Sequence, residues 1–310
     1  MSELVTALQV ELFKTRRLRL VWALLGLMLV FLVLNSVLSY QAYQDVRRFA
    51  RLETGAAQPE DRHATAMQQE MLAVALRSNL VMPSAYAGVT GVLYFPGFVL
   101  ITIAAGSLVA NEFGWGTAQR VLARGRRRWA WLGAKLGTVA VLAAGAVVIG
   151  LAAGSVGGFA TSQALHAWRP QAFSAETWQS LGVMTLRLWA VLTVYGVVAA
   201  AAGFYFRNTG LAVGGALVYY FVEALVSGLI VQTRGWLSEI RPYLLGNVAH
   251  SLVVTHNPFV SAMMGGQGER ALEAAARGLD PGAAWVALAG WGLLFSAVCV
   301  ASFARRDLPV

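Results

Sequence analysis

Glu223 sits inside the apolar run Val-Tyr-Tyr-Phe-Val-Glu-Ala-Leu at 218–225. A carboxylate at that depth is costly unless it faces the protein interior or a wet cavity. It can then take up a proton, pair with a cationic substrate or hold helices together, and the residue type leaves these roles open. Tyr219 and Ser227 fall one turn to either side and add hydroxyls to the same helical face. Asn35, followed by Ser36, is a second polar candidate in an earlier apolar run. Such side chains line substrate paths or bridge helices in lipid. Outright catalysis has less provision. The histidines at 63, 166, 250 and 256 lack the i, i+4 spacing and acidic company of a zinc protease, and His250 with His256 alone would give a metal only two ligands. There is no G-x-x-x-x-G-K-[ST] loop for ATP phosphates and no G-x-S-x-G elbow.

These residues must be positioned by a membrane bundle. The 310-residue chain is 57% hydrophobic and only 13% charged, too little charge to cover a soluble globule of this length. Its 10 Trp and 9 Tyr suit interfacial belts, and its 32 Gly suit close helix packing in lipid. The single cysteine, Cys299, excludes a disulfide within the chain. Six apolar segments approach the roughly 20 residues a bilayer core requires: 20–40, 87–110, 130–154, 183–206, 210–231 and 283–303. Pro96 should kink the second. Gly150, Gly154 and Gly158, Gly133 and Gly137, and Gly210 and Gly214 recur every four residues, a pattern for close packing inside the chain or, less favoured, for a dimer face.

Ahead of the first span, residues 1–19 place Leu4, Val5, Leu8 and Leu12 on one face, followed by Lys14, Arg16, Arg17 and Arg19. This reads as a helix lying in the membrane surface. A cleaved signal peptide is disfavoured, because the apolar stretch is long enough to span and no small-x-small site follows. The loop 41–86 carries the helix-start pattern Pro59-Glu60-Asp61, with Met67, Met71 and Val74 repeating on one face. The loop 232–282 is apolar from Pro242 to Met264 but broken by Pro242, Gly246, Asn247, Asn257 and Pro258, so helical or re-entrant structure is expected there.

Charge orients the bundle. The net charge of +9 lies at the borders of apolar runs instead of on a basic face, which argues for topology and against nucleic acid as a partner. Lys14, Arg16, Arg17, Arg19, Arg120, Arg124, Arg126, Arg127, Arg128, Arg207, Arg305 and Arg306 fall in short segments with only Glu3, Glu11, Glu112 and Asp307 beside them. The other loops balance arginines with acids. Both termini and the 111–128 segment are therefore expected on the cytoplasmic side of a multi-pass cell-membrane protein.

The 111–128 segment itself reads as a short amphipathic helix and a basic turn. Glu112-Phe113-Gly114-Trp115-Gly116-Thr117, then Leu122, the arginine turn and Lys135 at the start of the next span resemble the second-to-third span loop of ABC-2 type transporter permeases. Phe13-Lys14-Thr15-Arg16, the six spans and the terminal Phe303-Ala304-Arg305-Arg306-Asp307 agree with that family. Arg124-Gly125 stand where relatives often carry a proline and a serine. The resemblance implies a permease subunit of an ATP-driven exporter. It also implies soluble ATPase partners that hold Mg-ATP, no cofactor on this chain, and a second permease, the same chain in a homodimer or a related one in a heterodimer. Coupling to the ATPase would then fall to Glu112, Gly116, Thr117, Gln119 and Arg120, with Glu112 starting a cytoplasmic coupling helix. A channel, an ion-coupled transporter and an intramembrane enzyme are the alternative classes.

Overall fold

The computed structural model describes residues 2–53, 73, 76–77, 80–116, 128–231, 236–259 and 279–304. It is all-helical over these residues. Helix α1 (Ser2–Arg17) precedes six helices long and apolar enough to cross a membrane: α2 (Arg19–Glu53), α3 (Tyr86–Gly114), α4 (Arg128–Ala164), α5 (Ala175–Phe206), α6 (Thr209–Val231) and, last in the chain, α9 (Pro281–Ala304). Between α6 and α9 lie the short α7 (Trp236–Ile240) and α8 (Leu245–His250), the latter continuing as a π-helical turn, Ser251–Thr255.

All six expected spans are present, but several helices outrun them. The first was expected to stop at residue 40, yet α2 continues to Glu53, and α4 continues past 154 to Ala164. At 1.5 Å per residue each is about 50–55 Å long against a hydrocarbon core of about 30 Å. Hydropathy marks where a helix leaves lipid, whereas the backbone continues wherever its residues tolerate a helix; Asp45, Arg47 and Arg48 do. α5 begins at Ala175, eight residues ahead of the expected 183, and there the Thr177 N–H donates to the Ser174 side chain at 3.3 Å. Pro96 lies within an unbroken α3.

α3 and α5 form the centre, and the other spans pack around them with their outer faces open. The Gly150, Gly154 and Gly158 stripe of α4 is an intramolecular seam: a Cβ at these positions would run into Leu93, Val89 and Met82. Gly133 and Gly137 receive Leu4 and Leu8 of α1. Gly214 has nothing within 4 Å. α1 therefore docks on α4, and its buried face is Ala7, Glu11 and Thr15, while Leu4 and Val5 of the expected apolar stripe stay about half exposed.

Of the segment before α9, the described residues 236–259 are mostly helical, and the part from α8 onward is largely buried. Leu245, Val248, Ala249, Leu252 and Val253 of α8 and its π turn are buried among the longer helices. The surface helix expected near Pro59, Met67, Met71 and Val74 lies outside the described residues.

Candidate functional site

Two regions gather the polar groups. The first joins α1, the end of α3 and the start of α4. Lys135, 1% exposed, reaches Glu11 Oε2 at 2.5 Å and Glu112 Oε1 at 2.8 Å; Lys14 reaches Glu11 Oε1 at 3.0 Å and Glu112 Oε1 at 3.2 Å. Two acids and two ammonium groups thus cancel in a largely buried square, the arrangement that makes burial of charge tolerable. The Lys135 ammonium also sits 5.7 Å from the Trp131 ring centre. Trp131 packs with Phe113, Phe204 and Phe303, so the square rests on an aromatic floor drawn from α3, α4, α5 and α9. Asn111, adjacent to Glu112, accepts a 2.6 Å hydrogen bond from Thr209 at the start of α6.

This geometry corrects the expectation that Glu112 opens a separate cytoplasmic helix. It lies in the last turn of α3, where the helix dipole disfavours a carboxylate, and the two lysines supply the compensation. α3 ends immediately afterwards: the Gly116 N–H donates to the Phe113 carbonyl at 3.1 Å with Gly116 at φ 63°, a left-handed conformation that glycine adopts without a Cβ penalty. Thr117, Gln119 and Arg120 lie outside the described residues, as do Arg124, Arg126 and Arg127. A cavity of about 340 Å³ adjoins the square, edged by Phe13, Arg17, Asn111 and Trp115.

In α1, burial would raise the Glu11 carboxyl, but Lys135 and then Lys14 outweigh it and hold it below its ordinary value of 4.5. For Lys14, burial would lower the ammonium, and Glu11 and Glu112 outweigh it, so it lies above 10.5. Groups charged this firmly make poor acids or bases. The square has the properties of a clamp.

The second region lies between α3, α5, α6 and α8. Glu223, 8% exposed, accepts the Gly246 N–H at 2.7 Å on Oε1. Gly246 is in the first turn of α8, whose N-cap position is occupied by Leu244, which has no side-chain oxygen. The glutamate thus supplies from a neighbouring helix the cap that the local sequence lacks. Tyr219, one turn before Glu223 on α6, packs against Tyr220 and Phe295. Asn247 Nδ2 donates to Ser227 Oγ and to the Arg241 carbonyl, both at 2.8 Å. Glu223 and Ser227 line a cavity of about 300 Å³. Asn35 is elsewhere, in a cavity of about 150 Å³ with Ser36, Ser39 and Thr161.

Sequence reasoning passed over Glu11 as a partner of Lys135, and Arg187 altogether. Arg187 sits in α5 and donates to the carbonyls of Leu252 and His256, pinning the π turn after α8. A cation within an apolar span was the available signal for it. His250 and His256 make local hydrogen-bond contacts to Thr255 and Ser251.

A family profile described as "Protein of unknown function (DUF2705)" matches residues 65–309. No curated protein matches the chain.

Proposed function

Starting from a chain that belongs to the DUF2705 family, we propose that it is the membrane permease subunit of an ATP-driven transporter of the ABC-2 type, an exporter working beside separate ATPase subunits. The observation that carries this reading is the buried square of Glu11, Lys14, Glu112 and Lys135. It fastens the N-terminal helix to both sides of the arginine-rich segment 117–127, so a push on that segment or on α1 would be passed into α3 and α4 together. α3 is central and touches α5 and α6 as well, so a tilt of this unit would shift the rest of the bundle. Rocking of packed helices of this kind changes which side a cavity faces, provided the partner grips the unit differently in its two states.

In this reading all six long helices cross the cell membrane, and both termini and 111–128 face the cytoplasm, because the uncompensated basic residues lie there. Mg-ATP binds the partner, and two permeases, identical or related, enclose the path. The direct test is co-purification in mild detergent of the tagged chain with a soluble ATPase encoded beside it. A stable complex is expected, with Ser2→Cys and Pro309→Cys, in a Cys299→Ala background, protected from an impermeant thiol reagent added outside. Free elution of the two proteins would overturn the partnership, and outside labelling would overturn the topology.

A further inference from the structure

The cavity beside Glu223 has an unusual lining for its size. Tyr94, Phe95, Phe98, Tyr195 and Tyr220 provide five aromatic rings, and Glu223 provides the carboxylate. The rings are mutually braced: Phe98 lies 5.1 Å from Tyr195 and 5.3 Å from Tyr220, and Tyr195 lies 4.8 Å from Tyr220, centre to centre.

The hydrogen-bonding capacity of this wall is largely committed. Tyr220 donates its hydroxyl to the Tyr195 carbonyl at 3.0 Å, and Tyr94 donates to the Gly246 carbonyl at 3.3 Å. Asn247 is held by Ser227 and Arg241. His250, on the same wall, is held below its ordinary value of 6.5, first by burial and then by Arg241. Arg241 stands behind Ser227, its Nε 3.4 Å from the hydroxyl, and is not part of the wall. What remains for an occupant is the aromatic rings and the unused lone pairs of one carboxylate. No ion pair reaches Glu223 among the described residues.

We propose that this cavity binds a small lipophilic organic cation of the quaternary or alkylammonium class, seated among the rings with its charge toward Glu223, and that this class is the transported substrate. The substrate part rests on the transporter reading; the binding part does not. The chemistry discriminates among occupants. Ring faces attract a desolvated cation, and a carboxylate in a poorly hydrated site gains from a counter-charge. An anion would meet Glu223 unscreened. A polyol would find few free partners for its hydroxyls. A neutral hydrocarbon would gain from the rings but nothing from the acid.

The test is equilibrium binding of radiolabelled benzyltrimethylammonium to the purified chain in nanodiscs without any ATPase, with neopentylbenzene, its uncharged carbon isostere, as competitor. Saturable binding that the isostere does not displace is expected. Glu223→Gln keeps an oxygen to accept the Gly246 N–H and should weaken binding about tenfold or more, and Phe98→Leu should weaken it several-fold. Asn35→Ala, in the separate cavity, should leave the affinity unchanged. Equal displacement by the isostere, an affinity indifferent to Glu223→Gln in protein with the wild-type melting profile, or no saturable binding would each overturn the cation site. Binding without ATP-dependent movement of the probe in proteoliposomes that hold the partner in a stable complex would leave the site and the transporter reading standing and refute this class as the substrate. ATP-dependent export with no binding here would refute the site and leave the transporter reading standing.

Discussion

Two buried clusters of this molecule are each built around glutamate, and they are built differently. In the α1–α3–α4 square every carboxylate has ammonium groups within 3.2 Å, and charge is balanced inside the cluster. In the α6–α8 cavity the carboxylate is held by a backbone N–H, next to open volume lined with rings. The first has spent its charge on joining helices, with only Glu112 Oε2 left buried without a hydrogen-bond partner, which suits a part that transmits force. The second leaves a carboxylate without an ion-pair partner among the described residues, beside a space that can receive a cation, which suits a part that binds and releases.

The contrast is easiest to break at Lys135. Lys135→Met would leave Glu11 and Glu112 buried beside each other with only Lys14, and should cost about 3–5 kcal/mol of stability, read from thermal unfolding in nanodiscs. Lys14→Met, at a partly exposed position, should cost about 0–1 kcal/mol. Equal, small effects for both would mean that the square is no clamp.

The α3–α4 glycine seam can be probed next. Gly154→Leu must displace Val89 and should cost about 1–3 kcal/mol, whereas Gly214→Ala, with open space around it, should stay within about 0.5 kcal/mol. Matching losses at both positions would contradict the seam.

At the cavity, the capping role separates from the charge. Glu223→Leu orphans the Gly246 N–H and should cost about 1–3 kcal/mol, while Glu223→Gln should be nearly silent in stability, within about 0.5 kcal/mol. A Gln variant as unstable as the Leu variant would show that the charge, and not the accepted hydrogen bond, holds α8.

How much of this was readable beforehand depends on range along the chain. The six spans follow from hydropathy, and the glycine seam from a period of four, because both are local. Glu223 and Ser227 share one cavity because they share one helix face, whereas Tyr219 is not among the residues that line it. Asn35 was not in their cavity, and nothing local could have said so. Lys135 meets Glu11 across 124 residues and Lys14 meets Glu112 across 98, distances over which periodicity carries no information. The helix position expected of Glu112 was wrong because an acid before a Gly-rich turn fits a helix start as well as a helix end, and here it ends α3 beside two distant lysines. The end of α2 was missed because apolar content reports the bilayer, not the backbone.

The smallest expected effect is that of pH. Glu11 is depressed in the folded protein, so its stabilisation is complete above the ordinary carboxylate value of 4.5 and is lost as pH falls through the lower folded value. Lys14 is raised, so its share is complete below 10.5 and is lost as pH rises through the higher folded value. The melting-temperature difference between wild type and Glu11→Gln should therefore be flat from about pH 6 to about pH 9 and shrink only in stronger acid. A collapse between about pH 6 and about pH 8 would assign the titration to some other group.

The role of the square in coupling is tested most directly by the ATP hydrolysis rate of the partner ATPase reconstituted with the chain in nanodiscs, measured for wild type and for Glu112→Gln. Gln preserves the shape of the side chain but removes its charge from both lysines. The expected result is a rate raised by the wild-type chain and not raised by the variant, although both hold the ATPase in the complex. Full stimulation by Glu112→Gln would contradict it.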